Sequence, residues 1–463
     1  MKKQMIYMVC ATAFLSSCHI YKSYDRPDDI SVDSLYRDPL SVNDTLSSDT
    51  DNFGNLPWRQ VFTDPQLQAL IDLGLKQNSD LQTAILKVKE AQAPLLSAKL
   101  AFAPSLTLSP QGTISSFNNN AATKTYSLPI TASWELSLFG GLLNAKRGAE
   151  VVVKQAKAYQ QAVQTQVVAN IANMYYTLLM LDRQLEISKE TSDILKKNVE
   201  TMEAMRDAAM YNVNSASVEQ SKAAYAQILA SIPGIEQSIR EVENSLSTLL
   251  YLPPQSIQRG KIEDQQLPSK FSAGLPLQLL SNRPDVKAAE MSLASAYYNT
   301  NYARSAFYPK ITLSGSAGWT NSAGGAIINP GQFLATAIGS LTQPLFNNGI
   351  NIAKLKMAKA QEAQAKLAFQ QALLNAGSEV SNALSLYHTS SQKADARKMQ
   401  VEAAEKATEY TKELFNLGNS TYLEVLSAQQ SHLSAQLSQV SDCFERMQAV
   451  VSLYQALGGG REN

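Results

Sequence analysis

The sequence predicts an internally duplicated α+β membrane chain that contributes four β-strands to a sheet it cannot close by itself. Three observations carry this expectation. Residues 102–109 read FAPSLTLS and residues 307–314 read FYPKITLS, so one helix-to-strand switch is written twice, about 205 residues apart. Each switch opens a stretch in which apolar and small polar side chains alternate, the period of a strand with two unlike faces. Beyond the first hairpin the chain stays helical in pattern, with no glycine or proline from Ala149 to Ile232.

The 463 residues include 40 basic and 40 acidic side chains, so nothing in the net charge suggests a nucleic-acid partner. Hydrophobic residues make up 44%, while Ala, Gln and Ser dominate much of the chain, which suits long helices with a thin apolar seam. His19, His388 and His432 are scattered without a matching acidic or cysteine cluster, and no P-loop, GxGxxG or GxSxG motif occurs. The sequence therefore implies no catalytic residues, no metal and no cofactor, and an enzyme is disfavoured.

Met1-Lys2-Lys3, an apolar segment from Met5 to Leu15, and then Leu15-Ser16-Ser17-Cys18 read as a bacterial lipoprotein signal over residues 1–17. Cleavage would leave Cys18 first, carrying a covalent lipid. The apolar segment is too short for a permanent spanning helix, whereas several acyl chains on one residue give stable anchoring. An ordinary signal peptide with a chance cysteine is the alternative. Cys443 then remains alone and reads as a small buried side chain. Residues 18–55 read as lipid anchor and extended linker, since 28–52 is acidic and Ser-rich with little to bury.

A first repeat is expected over 56–270 and a second over 271–458, with 459–463 a flexible tail. From Asp64 to Leu100 the apolar spacing of Leu67, Leu70, Ile71, Leu75, Leu81, Ile85 and Val88 is helical, and Pro104 ends it. A hairpin follows at about 104–138. Leu106, Leu108 and Ile114 share one parity, as do Tyr126, Leu128, Ile130, Trp134 and Leu136, against Ser, Thr, Gln and Glu135 on the other. The second hairpin, at about 309–346, sets Ile311, Leu313 and Trp319 against Thr312, Ser314 and Ser316; its last run is less clean, because Leu334 and Ile338 fall on the Thr336 and Ser340 side. Long helices are expected at about 142–250, with Leu178, Leu181, Leu185, Leu195, Val199 and Met202 as a seam interrupted by Ser188 and Ser192, and at about 350–457.

Alternation alone also suits a soluble β-sandwich. Runs of about ten to thirteen residues match tilted membrane strands better than soluble ones. Leu106, Leu108, Leu128, Ile130, Trp134, Leu313 and Trp319 are then the lipid-facing set, and Glu135 faces a lumen, where a charge costs little. Four strands cannot close a barrel, and open edges in lipid would leave backbone groups unpaired, so membrane residence requires several chains to pool their strands.

GLPLQLLSNRPDV (274–286) resembles the signature between the repeats of TolC-like outer-membrane efflux proteins, in particular the lipoprotein branch of NodT/CusC-type channels of RND pumps. YKSYDRP (21–27), LPWRQVFTDPQLQALI (56–71) and LFNLGNSTYLEVLSAQQ (414–430) are similar to the same family, and the likeness runs from Cys18 to Gly458. The resemblance implies a homotrimer with a shared 12-stranded outer-membrane β-barrel and a long periplasmic α-helical barrel. It implies a periplasmic adaptor and an inner-membrane RND pump as partners, and an exit duct for drugs or other small toxic molecules that itself performs no chemistry.

The turns at Tyr211–Ser217 and Leu417–Thr421 would form the periplasmic tip, where the adaptor docks and an aperture opens. Gly418 suits a left-handed C-cap there, with Asn214 at the corresponding place in the first turn; Thr421 or Ser420 can cap the next helix. Ser217 belongs to the same tip. The family often narrows its tip with a charged ring, and the matching positions are Leu423, Ser427 and Gln430, beside Glu424. Ser427 and Gln430 are uncharged, so closure by Leu423 packing and hydrogen bonds is expected. Arg283, Pro284 and Asp285 are expected to be structural, an Arg–Asp pair at a helix start. The competing functions are a type I secretion duct for proteins, a purely structural coiled-coil lipoprotein and a lipid-anchored hydrolase.

Overall fold

The computed structural model describes residues 21–30, 35, 53–116, 118, 121–209, 213–266, 268, 283–321 and 331–460. The signal segment, Cys18, Tyr211 and residues 274–282 lie outside them. The chain divides into two compact units. One comprises Met1–Ser31, Leu86–Ala158 and Lys287–Ala372; the other comprises Val32–Ile85, Tyr159–Val286 and Leu373–Asn463. Each unit draws on both sequence repeats, so the repeats are not the units of packing.

Among the described residues the helices are α1 (Trp58–Val61), α2 (Pro65–Gln77), α3 (Ser79–Leu100), α4 (Gly141–Asp207), α5 (Ser215–Leu249), α6 (Pro284–Ser305), α7 (Ile350–Asn416) and α8 (Tyr422–Ala456). The strands are β1 (Ser105–Leu108), β2 (Gln111–Ser115), β3 (Thr123–Leu136), β4 (Lys310–Thr320) and β5 (Gln332–Thr342). Corresponding helices have equal lengths: 22 residues in α3 and α6, 67 in α4 and α7, 35 in α5 and α8.

The single helix expected from Asp64 to Leu100 is two. Asn78 breaks it with a non-helical ψ of 128°, its side chain accepting from Leu81 N at 2.9 Å and donating to Leu249 O at 2.8 Å. An asparagine that satisfies the ends of two helices competes with continuation of either. The long helices expected over 142–250 are α4 and α5, separated where the turn at Tyr211–Ser217 is expected.

In the second unit Asp64 caps α2, accepting from Gln66 N at 2.8 Å, while its other oxygen accepts from Tyr175 Oη at 2.6 Å and Gln265 Nε2 at 2.8 Å. Burial pushes the Asp64 carboxyl up, but these hydrogen bonds hold it below the usual carboxylate range. Gly74 presses α2 onto α4: a Cβ there would stand 2.3 Å from Ile171 Cδ1. Gly377, isolated within α7, has the same logic, since a Cβ would meet Leu35 O at 2.4 Å. Ser188 and Ser192, which interrupt the apolar seam of α4, are nevertheless buried. The tail expected to be flexible from residue 459 begins packed: Thr165 Oγ1 donates to Gly459 O at 2.6 Å, and Gly460 N donates to Tyr454 Oη at 2.8 Å.

In the first unit the linker is tied down over residues 21–30. Arg26 grips Glu290 of α6 with two hydrogen bonds of 2.9 Å, Tyr24 N donates to Tyr298 Oη at 3.1 Å, and the Tyr24 and Tyr297 rings meet edge to face. The sheet lies in the same unit. It runs β1–β3–β4–β5, all antiparallel, with β2 also on β3.

The first run of the first hairpin is split into β1 and β2, although one register serves both: Leu108 faces Ile130 and Gln111 faces Ser127. Two prolines explain the gap. Pro110 cannot donate to the ladder, and Pro129 lies opposite Ser109, whose N–H reaches Pro129 O at 3.1 Å. The last run ends at Thr342, short of the expected residue 346.

Candidate functional site

Two places in the chain carry the features that function can use, the sheet of the first unit and the paired helix turns of the second. In the sheet, register converts sequence parity into two faces. Leu128 lies opposite Trp319, Trp134 opposite Leu313, and Trp319 opposite Phe333 with their rings edge to face at 5.7 Å. The seven residues expected to face lipid all fall on this one face, and all are exposed, Leu106 at 71% and Leu108 at 60%. The last strand joins the pattern by parity: Phe333, Ala335, Ala337 and Leu341 face the same way, so only Leu334 and Ile338 depart from it. Among the described residues this exposed apolar face has no partner, and Lys124 at the far end of β3 is the charged side chain on it.

The opposite face is built from hydroxyls. Ser316 and Thr336 hydroxyls meet at 2.7 Å, and Thr131 Oγ1 donates to Thr107 O at 3.2 Å. Its charges are Glu135 and Lys310, which pair at 3.3 Å. Gly318 sits where β4 crosses Pro129; a Cβ would stand 2.2 Å from Leu128 O and 2.5 Å from Pro129 Cα.

At the turn after α7 the chain closes as a Schellman cap. Gly418 has φ 76°, its N–H donates to Phe415 O at 3.0 Å, and Asn419 N donates to Leu414 O at 2.8 Å. Thr421 caps α8, and the Glu424 carboxylate accepts from its N–H at 3.1 Å and from the Ser420 hydroxyl. The Ser420 and Thr421 hydrogen bonds hold Glu424 below the usual carboxylate range.

The first turn is built differently from the expectation. Asn214 is not the left-handed residue: it is extended, φ −123°, and caps α5 by accepting from Ser217 N at 2.9 Å and from the Ser217 hydroxyl at 3.1 Å. Ala209 takes the left-handed place instead, φ 52°, with its N–H on Arg206 O at 2.9 Å. Both α4 and α7 end two residues before their left-handed residue, which matches Ala209 to Gly418; Asn214 matches Thr421 as the cap of the following helix.

Beneath the turns, Leu195, Met202, Val213, Val218, Phe415, Tyr422, Val425 and Leu426 form one buried cluster, and Tyr422 Oη donates to Ser221 Oγ at 2.9 Å within it. Sequence reading missed this Tyr–Ser tie, because its partners are 201 residues apart. Leu423, Ser427 and Gln430 lie on the exposed side of α8, spaced four and three apart. Gln430 also borders a cavity of about 670 Å³ whose wall mixes serine and glutamine side chains, Ser188, Gln429 and Ser438 among them, with apolar ones such as Ile228, Leu433 and Leu437.

Arg283 and Asp285 pair as expected, through two hydrogen bonds of 3.0 and 2.6 Å. Arg283, 5% exposed, also reaches Ala456 O at 3.0 Å and Glu379 at 2.7 Å, partners the local motif does not reveal. Burial pushes Asp285 up, but Arg283 outweighs it and holds the carboxyl below the usual range. Pro284 occupies the first position of α6, where its missing N–H costs nothing.

Among the described residues no group of three or more His, Cys, Asp or Glu side chains could hold a metal, and no helix is long and apolar enough to cross a membrane, which leaves the sheet untouched.

Comparison with known proteins gives this geometry its context. The family model described as outer membrane efflux protein matches residues 70–250 and 275–459. The cation efflux system protein CusC of Escherichia coli (strain K12) is 29% identical over 454 residues, covering 97% of this chain and 98% of that one. The probable outer membrane lipoprotein SilC of Salmonella typhimurium is 28% identical over 430 residues, covering 91% of each. The solved outer-membrane channel OprN superposes with a TM-score of 0.84 at 25% identity, covering 96% of this chain and 99% of that one. With both halves matched in order, the chain belongs to the outer membrane efflux protein family, the outer-membrane exit ducts of tripartite efflux systems.

Proposed function

We propose that this exit duct is a homotrimer in which three copies of the sheet close a 12-stranded barrel, its apolar face in lipid and its hydroxyl face around an aqueous lumen. The exposed apolar face carries this reading. Leaving it in water forfeits the transfer free energy of every large side chain on it, about 1.5–3 kcal/mol each when fully buried, and a four-strand sheet has two edges that only another copy of this sheet would satisfy in lipid. The long helices continue the duct into the periplasm, where an adaptor docks and an RND-type pump delivers cargo. Drugs and other small toxic molecules are the proposed cargo class. CusC, to which this chain is similar, is named a cation efflux protein, and that name supports small solutes over the protein cargo of a type I secretion duct.

Cys18 is the proposed lipid attachment, supported by the lipobox-like sequence and by the name of SilC as a probable outer membrane lipoprotein. Asn214, Ser217, Gly418, Thr421 and Glu424 shape the turns that present the tip, and Leu423, Ser427 and Gln430 line the aperture. The test is recovery of heat-modifiable trimers from outer-membrane fractions, with ion conductance in planar bilayers. A monomer without conductance would return the chain to a coiled-coil scaffold. Accumulation of small toxic compounds in a deletion strain, with capture of the adaptor, separates an RND partner from an ABC exporter.

A further inference from the structure

The hydroxyl face of the sheet carries its charges at one level only, where the strands hand over to helices. Glu135 lies at the end of β3 and Lys310 at the start of β4, paired at 3.3 Å. Every other residue of that face in the described strands is uncharged. Beside the pair a cavity of about 530 Å³ opens, with Lys354, one turn into α7, on its wall together with Asn351, Phe139 and Met357. Asn351 is held by its own hydrogen bond to Ala306 O at 3.0 Å. Among the described residues no carboxylate lies within ion-pair distance of Lys354, and its side chain is exposed.

We propose that Lys354 sets an anion preference at this level of the lumen, favouring cargo that joins an acidic group to an apolar body. The physics is a contrast of fields. Glu135 and Lys310 cancel at a distance, leaving a short-range dipole, while a lone ammonium acts out to about 8–10 Å, the Debye length at moderate salt. In a threefold assembly three such ammonium groups would surround the path. Phe139 and Met357 give the cavity an apolar side against which the body of an amphiphilic acid can rest, and Lys354 supplies the counter-charge. This preference depends on the hydroxyl face lining the conduction path, as the trimeric channel requires.

The test is the reversal potential of purified trimers in planar bilayers under a potassium chloride gradient. Lys354→Gln lowers the chloride-to-potassium permeability ratio by about twofold, the modest size expected of a screened charge in water, and Lys354→Arg restores it. Glu135→Gln frees Lys310 and raises the ratio; Lys310→Gln bares Glu135 and lowers it. Lys354→Met, which also removes the charge and keeps the stem, carries the test should Lys354→Gln not assemble. Conducting trimers whose reversal potential ignores the loss of the Lys354 charge would overturn the anion preference and leave the channel standing. A wild-type trimer with no conductance would overturn both.

Discussion

Tyr422 donates its hydroxyl to Ser221 Oγ at 2.9 Å, with Ser221 fully buried and Tyr422 nearly so, and this one bond joins the first turn of α8 to the second turn of α5 inside the cluster beneath the two helix turns. Removing the phenol hydroxyl leaves a buried serine without that partner. Tyr422→Phe should cost roughly 1–2 kcal/mol, the usual cost of an orphaned buried hydroxyl, and Ser221→Ala a similar amount. Thermal unfolding of the single and double variants checks it: the double should cost clearly less than the sum of the two, because both delete the same bond. Additive losses would mean that the two hydroxyls act independently.

The two left-handed turn residues offer a matched exchange. Ala209 holds φ 52° where Gly418 holds φ 76°. A side chain in that region costs about 1–2 kcal/mol, partly offset by the greater unfolded-state entropy of glycine. Ala209→Gly should therefore stabilise by a few tenths to about 1 kcal/mol, and Gly418→Ala should destabilise by about 1 kcal/mol. Thermal melts of the two variants must move in opposite directions.

These turns also show how far the sequence could be read. Gly418 is legible because a lone glycine at the end of a long helical pattern has one physical use. Ala209 is not, since nothing in an alanine announces positive φ, and Asn214, the residue whose type suits that place, is instead the cap of α5. The faces of the sheet were legible from parity, because a strand has no other period. The split between β1 and β2 needed Pro129, which lies on the neighbouring strand and shows its effect only once register is known. The pair of Arg283 and Asp285 was local and readable, whereas Glu379 and Ala456 are brought to Arg283 by tertiary folding alone.

Gly318 is the tightest point of the sheet. A methyl group there would overlap Leu128 O and Pro129 Cα, both backbone atoms of the adjoining strand, so neither can rotate away. Gly318→Ala should separate β3 from β4 locally and cost roughly 1–3 kcal/mol, the range for forced overpacking. The yield of heat-stable trimers in membranes reports it. Gly112, with nothing near its missing Cβ, is the control that tolerates alanine.

Acid should weaken the Arg283 node. The folded Asp285 carboxyl is held below its ordinary value, so its stabilisation is present above the ordinary carboxylate range and is lost as pH falls through the depressed folded value. Between neutral pH and about 5 the contribution should be constant, and below about 4 it should fade. Asp285→Asn should cost about 2 kcal/mol at neutral pH, as for a hydrogen bond to a charged group, with Glu379 still serving Arg283. The wild type and the variant should converge in stability as pH drops below about 4. A gap that persists unchanged into acid would assign the loss to packing instead.

Leu423 is exposed on α8, and it shares that side with Ser427 and Gln430, neither of which can carry charge. An aperture built from these positions closes by apolar contact and neutral hydrogen bonds, so salt should have little hold on it. Leu423→Ala removes the largest of the three side chains and should widen the aperture: conductance rises, and cells become sensitive to vancomycin, which the intact outer membrane excludes. Raising the ionic strength should not reproduce that opening in the wild type, as it would for a ring of ion pairs. Unchanged conductance and exclusion in Leu423→Ala would show that closure lies elsewhere along the duct.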